Sequence, residues 1–242
     1  MGFKFSNKHE YSSKNGVVVN SLFFLSATLM IFTLYLVFLW VPTELNLGIS
    51  QRIFYFHVPL AWLGMLSMVL VSITSAIYLL TGKEKWDNLA YTTAELGVVF
   101  ASLILVTGVI WGKGDLGWWW TWDAKLTTTL ILWFIYVAYL MVRGYAPNRS
   151  QGSTFAAVIG IVGFVDVPIV YFAVDWWRAV HPESVVGPLA ETGSLDSSMR
   201  GVLVFSTITF VLLYLLLLRE RLSLRTIEAT LRGLRRPAMS LP

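Results

Sequence analysis

The chain has no cysteine among its 242 residues. That absence excludes disulfide bonds, thiolate metal sites and covalent attachment of a prosthetic group through a C-x-x-C-H motif. Charge is also scarce, because Asp, Glu, Lys and Arg together make up 13% of the chain. A typical soluble domain is roughly a quarter charged. A soluble globule with this composition would lack the charged surface that keeps it in solution, so that class is excluded.

Apolar residues, by contrast, make up 56% of the chain and gather into long runs. About 20 apolar residues cross the hydrocarbon core of a bilayer. A segment inside lipid must satisfy its own backbone, which leaves helices or a closed barrel, and continuous apolarity without alternation favours helices. The sequence therefore predicts an all-α integral membrane protein with one transmembrane domain of six spans, approximately 17–41, 58–80, 89–110, 126–142, 154–174 and 201–218.

Lysine and arginine are distributed unevenly between the predicted loops. Thirteen of the 18 flank the two termini and the second and fourth loops. Cytoplasmic segments carry the excess of positive charge, so both termini are predicted to be cytoplasmic and residues 219–242 to form a basic cytoplasmic tail. The loops around 42–57, 112–125 and 175–200 then face outward. The net charge of +4 is explained by this orientation and gives no indication of nucleic-acid binding.

The loop at 112–125 is unusually rich in tryptophan. This loop and the residue before it hold five of the eleven tryptophans of the chain, at Trp111, Trp118, Trp119, Trp120 and Trp122. Tryptophan is enriched at membrane interfaces, so a simple aromatic belt explains any one of them. Five within so short a segment favour an apolar aromatic platform for a flat, hydrophobic ligand. The next residue, Asp123, precedes a span and is expected to cap that helix.

Two of the three histidines fall in outward segments. An even number of crossings separates His57, the tryptophan loop and His181, so all three share one face, while His9 lies on the other. A lone interfacial histidine is usually a plain polar residue. Two beside an aromatic platform suggest axial ligands that clamp a haem iron from both faces. Positive side chains for its anionic propionates are supplied nearby by Arg52, Lys113, Lys125 and Arg178.

These residues resemble a known family. The run Trp119-Trp120-Thr121-Trp122-Asp123 is similar to the WWD signature of haem-handling membrane proteins. Two further runs, Arg52-Ile-Phe-Tyr-Phe-His57-Val-Pro59-Leu-Ala-Trp62 and Trp176-Trp177-x-x-x-His181, resemble the C subunit of the system I cytochrome c maturation machinery, the CcmC family. The resemblance covers nearly the whole chain, with the three motifs in family order.

The resemblance implies a non-enzymatic protein of the bacterial cytoplasmic membrane that presents haem b on its periplasmic face. The haem is bound transiently and non-covalently, with His57 and His181 as axial ligands of the iron. It then passes to a haem chaperone of cytochrome c maturation. The implied partners are the ATP-hydrolysing and membrane subunits of an ABC-type complex and a small membrane subunit.

Another class of function stays open at this stage, namely a solute or ion transporter that uses Asp166 and Glu95 inside the membrane. Intramembrane carboxylates are by default candidates for a functional site. However, no G-x-x-x-x-G-K-[ST] loop is present, and the internal symmetry common in secondary transporters is not visible. An interhelical hydrogen bond is the favoured role for Asp166. Larger WWD proteins, such as the system II haem-handling protein or the F subunit, carry more spans and histidines than this chain.

Overall fold

The computed structural model describes residues 6–45, 47–177, 181 and 195–238, leaving aside the side chains of 6–16, 229, 230 and 232–238. Each regular element in this part of the chain is a helix. The helices are α1 (Ser6–Tyr35, continued by a π-helical turn at Leu36–Trp40), α2 (Gln51–Thr81), α3 (Glu84–Asp115), α4 (Ala124–Tyr145), α5 (Arg149–Gly163), α6 (Asp166–Trp177) and α7 (Ser197–Ala238).

Six segments of the described chain are helical, long and apolar enough to cross a membrane. In the fifth of them, α5 and α6 form a single span, Arg149–Trp177, interrupted by a turn at Phe164 and Val165. The prediction of an all-α protein with six spans is thus confirmed. The helices extend beyond the apolar runs, because α2 begins at Gln51 and α3 continues to Asp115. His57 consequently lies well inside a helix.

The two central helices, α2 and α3, form a tight hairpin. Gly82 joins them in the left-handed conformation at φ 64°, and its N–H donates to the carbonyl of Tyr78 at 2.8 Å. Glycine adopts positive φ without the steric cost that other residues meet, which permits so short a connection. The opposite, open end of this hairpin is where α2, α4 and α7 begin and α1, α3 and α6 end. We call it the histidine end.

Small residues let the neighbouring helices approach the hairpin closely. A Cβ added to Gly97 of α3 would lie 2.3 Å from the ring of Tyr136 on α4, so only glycine fits there. The Tyr136 hydroxyl crosses to α2 and donates to the carbonyl of Gly64 at 2.6 Å. Close packing over small residues and interhelical hydrogen bonds are what hold helices together inside a bilayer. One tyrosine therefore fixes three helices at once.

Two ion pairs, one largely buried and one partly exposed, fix the bundle away from the histidine end. Arg143 of α4 donates to both carboxylate oxygens of Asp87 on α3, at 2.5 and 2.6 Å, and to Ser153 of α5 at 2.9 Å. Nearby, Arg221 of α7 donates to both oxygens of Glu95 on α3, at 2.8 and 2.7 Å. Glu95, one of the two carboxylates considered for a transport pathway, is thus engaged in a two-point ion pair.

Candidate functional site

A cleft opens at the histidine end between α2, α3, α4 and α6. It encloses about 970 Å³, including space open to solvent. Seven of the residues selected from the sequence line it together: His57, Trp111, Trp118, Trp119, Asp123, Lys125 and His181.

The two histidines face each other across the cleft. Their ring centres are 6.4 Å apart and the ring planes are inclined by 34°. A metal–imidazole bond is about 2 Å long and the ring centre lies about 1.1 Å behind the nitrogen, so two axial imidazoles have centres about 6.2 Å apart. The observed spacing is close to that distance, so it is compatible with two imidazoles binding a single iron between them.

His57 is held against α3. Its side chain belongs to α2 and is buried, and Nδ1 lies 2.8 Å from the hydroxyl oxygen of Thr107. The next residue of α3, Gly108, leaves room for the ring, since an added Cβ would come within 3.2 Å of His57 Cε1. Neither Thr107 nor Gly108 was selected from the sequence, because nothing in a run of apolar residues marks the two that meet a histidine on another helix.

Trp111 stands beside the histidine pair. Its ring centre is 5.8 Å from that of His57 and 6.4 Å from that of His181, with both contacts edge to face. The indole is buried, and its Nε1–H has no hydrogen-bond partner in the described part of the chain. Buried donors are normally satisfied, so an unpaired one in the wall of a cleft is suited to an acceptor on a ligand.

The four tryptophans of the 112–125 loop divide into two groups. Trp118 and Trp119 line the cleft and are nevertheless 70% and 61% exposed. Trp122 is 77% exposed and packs against the half-buried Trp120 at 5.4 Å between ring centres, and neither of these two lines the cleft. Contiguous exposed aromatic surface of this kind marks an interaction site.

The charged candidates are placed differently from one another. Lys125 lines the cleft and donates from Nζ to the carbonyl of Val170 on α6 at 2.8 Å. Lys113 lies beside the platform, with Nζ 5.7 Å from the ring centre of Trp119. Arg52 is buried away from the cleft, where it donates to the carbonyl of Val41 at 2.7 Å and to Thr43 at 3.0 Å. Arg178 lies outside the described residues.

The remaining two candidates from the sequence are the carboxylates Asp123 and Asp166. Asp123 accepts from the backbone N–H of Leu126 at 3.1 Å, so its predicted capping of α4 is confirmed. It also accepts from the Thr121 hydroxyl at 2.6 Å, which orders the end of the tryptophan loop. Asp166 is buried at the start of α6, and its Oδ2 has no partner among the described residues. The interhelical hydrogen bond expected of Asp166 is therefore not made by that oxygen.

Comparison with known proteins matches the sequence of this chain to a family. The family model described as Heme exporter protein C matches residues 2–235, nearly the whole chain. The chain belongs to the Heme exporter protein C family. The resemblance inferred from the sequence motifs is thereby confirmed.

Relatives of this family occur in bacteria and in plants. Heme exporter protein C of Escherichia coli K12 is 36% identical over 174 residues, which cover 71% of this chain and 69% of the relative. The corresponding protein of Haemophilus influenzae is 36% identical over 188 residues, covering 76% and 75%. A putative cytochrome c biosynthesis ccmC-like mitochondrial protein of Marchantia polymorpha is 32% identical over 174 residues, covering 72% and 74%.

Proposed function

We propose that this chain carries haem in the cleft at its histidine end, with His57 and His181 as the two axial ligands of the iron. The observation that carries the proposal is the distance of 6.4 Å between the two imidazole centres. Membership of the Heme exporter protein C family supports it from an independent direction. The role needs no bond-making chemistry in the substrate, so the protein acts as a carrier and not as an enzyme.

The remaining cleft residues supply what a flat, apolar, dianionic ligand requires. Trp118 and Trp119 offer aromatic faces to the macrocycle. Lys125 in the cleft and Lys113 beside Trp119 supply positive charge for the propionates, and the unpaired Nε1–H of Trp111 can donate to an oxygen. The Trp111 ring is nearly equidistant from both imidazoles, so it stands level with the gap between them. Haem can therefore occupy that gap only if the indole of Trp111 turns aside.

The direction of transfer follows from charge and exposure. The positive-inside rule places the histidine end on the periplasmic side of a bacterial cytoplasmic membrane. Trp119 and Trp122 are largely exposed there, which leaves aromatic surface for a receiving protein. We assign this surface to a haem chaperone of cytochrome c maturation that receives transiently bound haem b. ATP hydrolysis then has to come from other subunits of an ABC-type complex, which also contains membrane subunits, one of them small.

The test uses imidazole rescue of single histidine variants. His57→Gly and His181→Gly each remove one iron–nitrogen bond and leave a small gap beside the iron. We expect each purified variant to hold less haem or to show a changed Soret spectrum, and added imidazole to reverse the change at least partly. The double variant should lose haem most severely. His9→Ala is the control and should match the parent.

Either histidine proving dispensable, with both spectrum and haem delivery unchanged, would remove the two-histidine site. A colourless parent protein, purified after growth with ample haem, would point instead to the transporter alternative. The structure offers that alternative little support, because Glu95 is bound to Arg221 at two points and Asp166 does not line the cleft.

A further inference from the structure

The hydroxyl of Thr107 has only one proton, and three possible acceptors lie within reach of it, two of them on its own helix. Thr107 Oγ1 lies 2.7 Å from the carbonyl oxygen of Leu103 and 3.2 Å from that of Ile104, both on its own helix. A threonine inside a helix commonly donates to the carbonyl one turn earlier. When the proton is used within α3 in this way, the lone pairs of Oγ1 face His57.

The contact with His57 then has a defined direction. Nδ1 of His57 lies 2.8 Å from Thr107 Oγ1, and an oxygen that has given its proton elsewhere can only accept here. In this arrangement Nδ1 carries the proton of the neutral imidazole. In a neutral imidazole one nitrogen donates and the other accepts, so the lone pair is on Nε2. That is the nitrogen through which a metal can be bound while Nδ1 stays hydrogen-bonded.

We propose that Thr107 is a positioning residue that fixes the tautomer and the orientation of His57, so that Nε2 is the nitrogen presented to haem iron. Histidines that bind metals almost always give their other N–H to a nearby acceptor, and that acceptor sets the ring orientation. Here the acceptor is a hydroxyl within the membrane span. Gly108 allows the ring to lie this close to α3. The inference rests on the proposed function, since it concerns one of its two ligands.

The chain offers closely matched variants. Thr107→Val keeps the branched shape and removes the acceptor, whereas Thr107→Ser keeps the oxygen. Thr74→Val is the control, because Thr74 Oγ1 donates to its own helix in the same way, at 2.6 Å to Leu70 and 3.2 Å to Val71, and forms no hydrogen bond to a histidine among the described residues. A second control, His57→Gly, shows what loss of the ligand itself does.

The first measurement reads the tautomer directly in the full chain without haem. With three histidines in the protein, ¹⁵N-histidine labelling gives a spectrum that single histidine replacements can assign. The parent and Thr107→Ser should show His57 with a protonated Nδ1 and a bare Nε2. Thr107→Val should show the other tautomer or a mixture, and Thr74→Val should match the parent. If Thr107 only stabilised the packing of α3, its replacement would not change the tautomer of His57.

The second measurement is a haem titration followed by the Soret band. Loss of the partner of a metal-binding histidine typically lowers affinity about 10- to 100-fold, and we expect a loss in that range for Thr107→Val and recovery in Thr107→Ser. If His57→Gly binds haem like the parent, the proposed function fails. If His57 is required but Thr107→Val keeps both the parent tautomer and the parent affinity, the positioning role alone is wrong. Lost affinity with an unchanged tautomer and no recovery in Thr107→Ser also overturns that role.

Discussion

Gly108 offers a sharp test of how tightly His57 is held, because one methyl group can be placed against the imidazole. In Gly108→Ala the new Cβ would lie 3.2 Å from His57 Cε1, whereas ordinary contacts begin near 3.4 Å. The ring is held by Thr107 on the adjacent atom, so it cannot simply rotate away without loss of that hydrogen bond. The imidazole must shift by a few tenths of an ångström, and its distance to His181 shifts with it.

The size of the effect follows from two opposing contributions. Overpacking of a tight site costs about 1–3 kcal/mol. Alanine in a helix interior is favoured over glycine by about 1 kcal/mol. The haem-free protein, in which the ring can shift, should therefore lose about 0–2 kcal/mol of stability. Bound haem fixes the ring, and a further cost of about 1.4 kcal/mol on binding corresponds to about a tenfold loss of haem affinity. The change in unfolding stability and the change in haem affinity should therefore differ in size.

The assay pairs thermal unfolding of the detergent-solubilised protein with a haem titration followed by Soret absorbance. Gly201→Ala is the matched control, because Gly201 lies in α7 and an added Cβ there meets nothing within 4 Å. It should be neutral or slightly stabilising and should leave haem affinity unchanged. Parent-like haem affinity in Gly108→Ala would refute the reasoning, since the ring would then not be confined between α3 and the iron.

Three further outcomes are expected. Asp87→Ala leaves Arg143 buried without its carboxylate and should destabilise the protein by about 3–5 kcal/mol in thermal unfolding; an unchanged transition would contradict the buried pair. Gly97→Ala should destabilise where Gly201→Ala does not, because its Cβ would overlap the Tyr136 ring; equal melting temperatures would count against this packing. Changing Trp119, Trp120 and Trp122 together to Ala should reduce haem retention in a correctly inserted protein, and undiminished haem would reduce these tryptophans to a membrane belt.

The sequence was sufficient for those features that depend on chain order. Apolar run length predicts six helical spans, and an even number of crossings between His57, Trp111 and His181 places them at one end, where the cleft unites them. Asp123 could be predicted as a cap because it directly precedes its helix. Each of these inferences needs only local pattern or a count of crossings.

Features that depend on helix rotation could not be predicted. Arg52 is near His57 in the chain, but its position on α2 directs it to the carbonyl of Val41 and away from the cleft. Thr107 is the opposite case, because it is distant from His57 in the sequence and no motif marks it. It meets His57 only because of the register in which α2 and α3 pack. Composition and spacing predict where the helices are. They do not predict which face of one helix packs against which face of another.

The length of α7 has a mechanical consequence. Its 42 residues give a rod of about 63 Å, roughly twice the 30 Å thickness of a hydrocarbon core. Arg221 fastens this rod to Glu95 on α3, the helix that seats His57. A sideways push on the projecting end is therefore passed to α3 for as long as that ion pair holds. A subunit bound to the end of α7 on one side of the membrane could thus change how α3 contacts His57 on the other side.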